Sequence, residues 1–338
     1  MDFHLTDDQR ALRAGVCELL VRRFGREQLR AAVDPPRHQG PDGREGPDGR
    51  KRPDGREDPD GREGPRGGEG PAVSRGLDRA LWRELGEAGF FALRLPESRG
   101  GVGLGLPEAV LAFEEAGRAL LPGPLVATHL AAGEVPGAAT GECVVAAVDG
   151  TLVEWLDEAD VVRGDVTDAV AMRSVDPLTP LHRVPRAAPC DPVAVLLTAA
   201  EQLGSAARTC ALAVQHARTR EQFGQPIGAF QAVKHLCAEM LVRVEVARSA
   251  VYAAAVTGDP LDIAAARLLA DEAAERGARD CLQVHGGMGF TWESDVHLHL
   301  KRAWSRARRG PTAAEAEEAL AQDLLAAGPA EPIATGRR

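Results

Sequence analysis

The sequence predicts a mainly α protein with a short β segment in its middle, and three observations carry that expectation. On either side of the middle, long stretches place apolar residues at helical spacing. The central span, 133–189, is instead broken into short Val- and Ala-rich pieces separated by Gly, Asp and Pro, the pattern of a few strands. Near the N-terminus a Pro/Gly tract without one apolar side chain interrupts both patterns.

The first helix is predicted over TDDQRALRAGVCELLVRRF, where Leu12, Val16, Leu19 and Leu20 share helical spacing and Thr6 is placed to cap. Residues 41–70 then read as five hexads, PDGREG, PDGRKR, PDGRED, PDGREG and PRGGEG. Nothing in them offsets the entropy of ordering the chain, so a disordered insertion is expected from about 33 to 70. Helical pattern returns in LDRALWRELGEAGF. A Gly/Pro loop follows, FALRLPESRGGVGLGL, and then the helix PEAVLAFEEAGRAL, which the PGP at 122–124 ends.

In the middle, ECVVAAVDG, DAVAMRSV and LHRVPRA are the expected strands. The rest is helical, over about 193–218, 229–257, 260–284, 293–308 and 312–326. The second of these carries a stripe of Phe230, Val233, Cys237, Met240, Leu241 and Val244, as packing in a bundle requires. The division that follows is an N-terminal helical domain (1–132), a shortened β domain (133–189), a C-terminal helical bundle (190–327) and a flexible tail (328–338).

Composition excludes several functions. A net charge of -10 argues against a nucleic-acid partner, which clustered Lys and Arg would have to bind. The six cysteines show no CxxC or zinc spacing, the usage of reduced thiols in a cytoplasm. The N-terminus is amphipathic and acidic, unlike a secretory signal. No apolar run approaches the roughly 20 residues that cross a bilayer, so no membrane association is expected.

Two C-terminal stretches carry chemistry: RTREQFGQPIGAFQAVKH (218–235) and CLQVHGGMGFTWESD (281–295). Alone, the first is a helix-turn-helix connection and the second a Gly-rich helix stop. As a pair, separated by two amphipathic helices, they resemble the acyl-CoA dehydrogenase family. The LTDDQRALR helix, WRELGEAGF, LPESRGGVGLGL, the β-like middle and the C-terminal helices follow that family's order.

The resemblance implies an acyl-CoA dehydrogenase-like fold with a C-terminal four-helix bundle. It also implies a dimer or tetramer, and oxidation of the Cα–Cβ bond of an acyl-CoA thioester with FAD as acceptor. By the same resemblance, Arg220 reaches the FAD of a neighbouring subunit, where its planar fork suits phosphate oxygens. Gln222, Phe223 and Gln231 match positions around that cofactor. Gln283, Gly286 and Gly287 match a segment that approaches the adenosine half, where glycine permits a close backbone. An electron-transfer flavoprotein is the implied electron acceptor.

Other residues are expected to be structural. His297 and His299 are two apart, so on a helix they face different ways and make no metal site. Trp292 and Trp304 read as core or interface. Arg302, Arg306, Arg308 and Arg309 read as a solvated face near a helix end.

Family members carry a glutamate base, which removes the proton α to the thioester. Of the two positions where the family places it, one falls here on Gly310, inside ARRGPTAAE, and the other on Ala194. Glu201 and Glu221 fit neither position. The central span is about half the family's usual length, and neither of its flavin-covering loops is recognisable. The resemblance therefore points to the base-lacking companion subunits of heterotetrameric bacterial acyl-CoA dehydrogenases, some of which act in steroid side-chain breakdown and carry a Gly-Pro sequence near the base position. The alternatives are an FAD-free scaffold subunit and a flavoenzyme of the same fold acting on a non-CoA substrate.

Overall fold

The structure, a computed structural model, describes residues 5–34 and 76–327. Most of the expected 33–70 insertion and the whole 328–338 tail lie outside the described residues.

Helix α1 (Asp7–Arg23) starts where the sequence placed its cap. Thr6 Oγ1 accepts the Gln9 N–H at 3.1 Å while the Gln9 side chain accepts the Thr6 N–H at 3.0 Å, a reciprocal capping box. A second helix, α2 (Arg26–Val33), was not foreseen, because eight residues offer too few turns to show a period. It buries Leu29 and Val33, so the expected onset of disorder at about 33 is corrected: Val33 is helical and packed.

Helix α3 (Arg79–Glu87) begins on Asp78, whose carboxylate accepts the N–H groups of Ala80 and Leu81, and it buries Trp82 and Leu85. Helix α4 (Leu106–Ala119) ends with Leu120 in the left-handed region, before the PGP break. The chain then restarts as a short helix, α5 (Leu125–Ala131), too short to show a helical period in the sequence.

The middle forms a four-stranded sheet in the order β2-β1-β4-β3, from β1 (Val145–Glu154), β2 (Val161–Arg163), β3 (Val170–Met172) and β4 (Leu181–Ala188). β1 pairs parallel with β2 and antiparallel with β4, with a register shift between Gly150 and Leu152. Two strand edges are only three residues long, so the sheet is a small platform rather than a deep domain.

Five helices complete the chain: α6 (Pro192–Thr219), α7 (Gln231–Thr257), α8 (Pro260–His285), α9 (Val296–Arg306) and α10 (Ala313–Ala327). Helices α6 and α8 open on Asp191 and Asp259, each followed by proline at the first position. Of the expected α7 stripe, Met240 and Val244 are buried and Val233 and Cys237 pack against the core; Leu241 turns to solvent, 52% exposed.

Helices α4 and α6 lie in unusually close contact. A β-carbon on Gly117 would collide with the Glu201 carbonyl, and one on Gly204 with that of Glu114. Glu114 itself is 1% exposed and ties three helices together. It accepts from Arg13 of α1 at 3.1 Å, and from Arg248 at 3.1 Å and the Tyr252 hydroxyl at 2.7 Å, both of α7.

Candidate functional site

The first motif closes α6 and opens α7 through a minimal hairpin. Arg220 caps α6, its N–H donating to the His216 carbonyl at 2.8 Å, and its own carbonyl accepts the Ile227 N–H at 2.8 Å. Between them β5 (Glu221–Gln222) pairs with β6 (Gln225–Pro226) across Phe223 and Gly224. Both turn residues have positive φ, 54° and 78°, as a two-residue hairpin of this hand requires. Glycine tolerates that; a bulky aromatic there is strained. The Phe223 ring stands in solvent, 93% exposed, and among the described residues its only aromatic neighbour is Phe230, edge-on at 6.0 Å. Gln231 is the first residue of α7.

The second motif ends α8 at Gly286, with φ 60° and ψ -144°, and continues as a tight turn through Phe290. A β-carbon on Gly286 or Gly287 would meet nothing within 4 Å, and Gly287 has no positive φ. Nothing among the described residues therefore explains the bare backbone at Gly287. Met288 and Phe290 stand exposed beside it, at 62% and 71%.

A stacked pair of histidines joins the two motifs. His216 of α6 and His285 of α8 lie ring to ring at 4.1 Å, and His285 Nδ1–H donates to the Cys281 carbonyl at 2.8 Å. Burial, then the neighbouring His285 and Arg220, hold His216 below the ordinary histidine value. Sequence spacing alone does not bring these two histidines together, 69 residues apart. A signal existed in hindsight: each histidine sits one helical turn or less before the end of its motif's helix.

Arg220, Gln222, Phe223, Gln231, Gln283, Gly286 and Gly287 are all exposed. Among the described residues Arg220 has no carboxylate partner, and burial leaves no polar need inside the chain for any of the seven. An unpaired guanidinium, exposed rings and open glycine backbone fit an anionic, partly aromatic group such as FAD approaching from outside.

The second motif is also fastened from the N-terminal side. Trp292 Nε1–H donates to Asp34 at 2.5 Å, Arg26 pairs with Asp295 at 2.6 Å, and Arg30 and Lys301 lie over the Trp292 ring at 5.4 and 4.9 Å. His297 stacks on the same ring at 5.1 Å, while His299 is buried against Ser205 Oγ at 2.8 Å.

The two positions of the family's base meet in space. Gly310 has φ 65°, and a β-carbon on it would stand 3.6 Å from Val195, the neighbour of Ala194, 3.8 Å from Cys190 Sγ and 3.9 Å from an Asp149 carboxylate oxygen. Asp149 faces Arg309 at 3.4 Å, and burial, then Asp149, push the Cys190 thiol up to about 11. Neither group is a free base.

Beside that locus the structure corrects the reading of the arginines as a solvated face. Arg302, Arg306 and Arg309 are buried, and only Arg308 is exposed. Arg302 donates to Asp176 and to the Leu121 carbonyl. Arg306 donates to Glu201 at 2.9 Å and Arg309 to Glu154 at 3.0 Å. The reason is pairing: a guanidinium enters a core when a carboxylate goes with it. Burial pushes Glu201 above its ordinary value despite Arg306; at 2% exposure and paired with that guanidinium, it is a packed structural carboxyl. The space left among Gly123, Leu125, Glu154, Glu201, Arg306 and Arg309 is about 10 Å³, room for one water at most.

Comparison with known proteins agrees with this architecture. Residues 72–141 match the family model for the acyl-CoA dehydrogenase N-terminal domain, and residues 194–319 match that for the C-terminal domain. The chain is 38% identical over 270 residues to acyl-CoA dehydrogenase IpdE2 of Mycobacterium tuberculosis, covering 70% of this chain and 84% of that one. Among solved structures, the ChsE4-ChsE5 complex from Mycobacterium tuberculosis has a TM-score of 0.73 at 24% identity, covering 98% of this chain and 100% of that one. A steroid ACAD, the Tcur3481-Tcur3483 G363A variant, has a TM-score of 0.71 at 21% identity, covering 95% and 98%. With two family domains in their expected order and a relative this similar along most of its length, the chain belongs to the acyl-CoA dehydrogenase family, oxidoreductases of acyl-CoA thioesters.

Proposed function

We propose that this chain is a base-lacking companion subunit of a heteromeric acyl-CoA dehydrogenase. One observation carries the reading: both base positions, Gly310 and Ala194, lie without a free carboxylate beside a buried ion-pair cluster that leaves about 10 Å³. Removing an α-proton needs a carboxylate within hydrogen-bond reach of the substrate, and here each nearby carboxylate is held by an arginine.

The exposed motifs supply the complementary half. When bound, FAD accepts the hydride from the β-carbon of the thioester. Arg220 would pair with its pyrophosphate, Phe223 and Gln222 would pack along it, and Gln231 would hydrogen-bond to it from the start of α7. Gln283, Gly286 and Gly287 would let the adenosine half lie on open backbone. All seven face outward, so the cofactor they serve is held largely by another polypeptide. The partner is a base-bearing acyl-CoA dehydrogenase subunit, with an electron-transfer flavoprotein as acceptor and a fatty or steroid side-chain acyl-CoA as substrate. That substrate class is supported by the names of the similar proteins. No described helix is long and apolar enough to cross a membrane, and we place the complex in the cytoplasm.

Co-expression with a base-bearing subunit encoded beside it tests the proposal. A yellow complex, bleached by an acyl-CoA, is expected, and a chain purified alone that binds stoichiometric FAD and is bleached by an acyl-CoA would overturn it. A complex that is colourless with its partner present would instead identify a scaffold subunit.

A further inference from the structure

Between α1, α2, α4, α6 and α9 lies a cavity of about 280 Å³ that is apart from the base locus and meets the second motif only at its last residue, Asp295. One wall is apolar, formed by Leu20, Phe24, Leu29 and Leu212. Facing it are Arg118, Arg208 and His299.

The charges in this cavity do not balance. Its two carboxylates are already engaged: Glu115 with Arg13 at 2.7 Å, and Asp295 with Arg26 at 2.6 Å and Arg30 at 3.6 Å. Arg118 and Arg208 make no ion pair or hydrogen bond among the described residues. They are close enough that Arg118, after burial, lowers Arg208 from the ordinary arginine value. Asp295 partly offsets Arg118 at Arg208, which is itself exposed, so the recess keeps a surplus of positive charge that an anion between the two guanidiniums would balance.

His299 adds a neutral donor. It is 3% exposed, and burial, then Arg208, hold it down to about 3, so it carries no charge at neutral pH. Ser205 Oγ lies 2.8 Å from its Nδ1. When the hydroxyl donates to Nδ1, the ring proton sits on Nε2, the tautomer in which His299 can donate to a ligand.

We propose that this cavity binds an apolar carboxylate, with its head between Arg118 and Arg208 and its body along Leu20, Phe24 and Leu212. Forked guanidinium donors suit a carboxylate's two oxygens. An apolar wall gives a small inorganic anion nothing to bury against, so the wall argues for a ligand with a hydrocarbon body. The volume admits a body on the order of ten carbon atoms.

Calorimetric titration of the full chain with decanoate, decan-1-ol and inorganic phosphate tests this. Decanoate is expected to bind at least tenfold more tightly than decan-1-ol, and the Arg118→Met/Arg208→Met double variant to lose at least tenfold in decanoate affinity with decan-1-ol unchanged. Leu212→Trp, which keeps both cations and fills the cavity, should abolish binding of both. If decan-1-ol binds as well as decanoate, the recess is only an apolar groove and the assignment fails. Phosphate binding without decanoate binding, or a double variant that binds decanoate like the parent, would equally overturn it. Should the double variant not fold, Arg118→Lys and Arg208→Lys, which keep the charge but lose the fork, replace it; each should weaken decanoate severalfold, and an unchanged affinity in both sinks the proposal.

Discussion

Arg306 of α9 and Glu201 of α6 form an ion pair 2.9 Å long with both residues almost wholly buried, at 3% and 2% exposure. Burial outweighs attraction in each partner, raising Glu201 and lowering Arg306 from their ordinary values. Arg306→Met alone, which strands the carboxylate, should therefore cost about 3–5 kcal/mol in urea unfolding. The double variant Glu201→Leu/Arg306→Met should recover most of that loss. A double variant no better than the single one would mean that the pair is not the unit.

Arg220 is exposed and has no carboxylate partner among the described residues, so its loss should be silent for the fold and loud for the cofactor. In a complex with the base-bearing subunit, Arg220→Ala should lower FAD affinity by about tenfold or more, the weight of a charge-assisted phosphate contact. The unfolding midpoint of the chain alone should stay within about 0.5 kcal/mol of the parent. Flavin absorbance after dialysis and a urea melt read the two effects separately.

Phe223 should show the opposite of an ordinary loss. Left-handed backbone costs a side chain such as phenylalanine about 1–2 kcal/mol, and Phe223→Gly removes that strain. Greater freedom of glycine in the unfolded chain offsets part of the gain. The variant should melt at or slightly above the parent temperature, yet its complex should retain less flavin. A clear drop in stability would show that the exposed ring is packed in the chain itself.

Restoring a carboxylate at the base locus should fail. In Gly310→Glu the new side chain would start from φ 65° with Val195, Cys190 and the Asp149 carboxylate within 4 Å. A stability loss of about 1–2 kcal/mol from the backbone alone is expected. The purified variant should not bleach with any acyl-CoA. Turnover by the variant chain alone would contradict a filled locus.

Acid should weaken the fold before the carboxylates titrate. Burial, then positive neighbours, pull His299 down to about 3, and burial, then Arg94, pull His129 down to about 4. Between those values and about 6.5 the unfolded chain binds protons that the folded chain refuses, so stability falls as pH falls through that window. Each imidazole should contribute up to about 1.4 kcal/mol per pH unit below 6.5. Urea midpoints measured from pH 7 down to pH 5 check this, and the slope should flatten in His299→Gln.

What the sequence shows and what it hides follow from the range of the interactions involved. Helix spacing and capping are local, so Thr6, Asp191 and Asp259 could be read as starts or fell close to expected ones. Short elements such as α2 and α5 hold too few residues for a period, and they were missed. Arginine burial is not local at all. The partners of Arg302, Arg306 and Arg309 lie 126, 105 and 155 residues away, so a run of four arginines looked like surface. The cofactor motifs were legible as residue types, whereas the left-handed Phe223 and the His216–His285 stack depend on the hairpin and on how α6 meets α8.

The bond from Trp292 to Asp34 joins residues 258 positions apart, and Arg26 to Asp295 spans 269. In a chain synthesised from its N-terminus, α1 and α2 are finished long before the loop that they will hold. That loop emerges 258 residues after Asp34, behind the helices that fasten it. Folding of this corner is consequently a late event of high contact order. A truncation that removes the first two helices should leave the C-terminal helices their mutual packing while loosening 286–295, so damage at one terminus would be registered at the other.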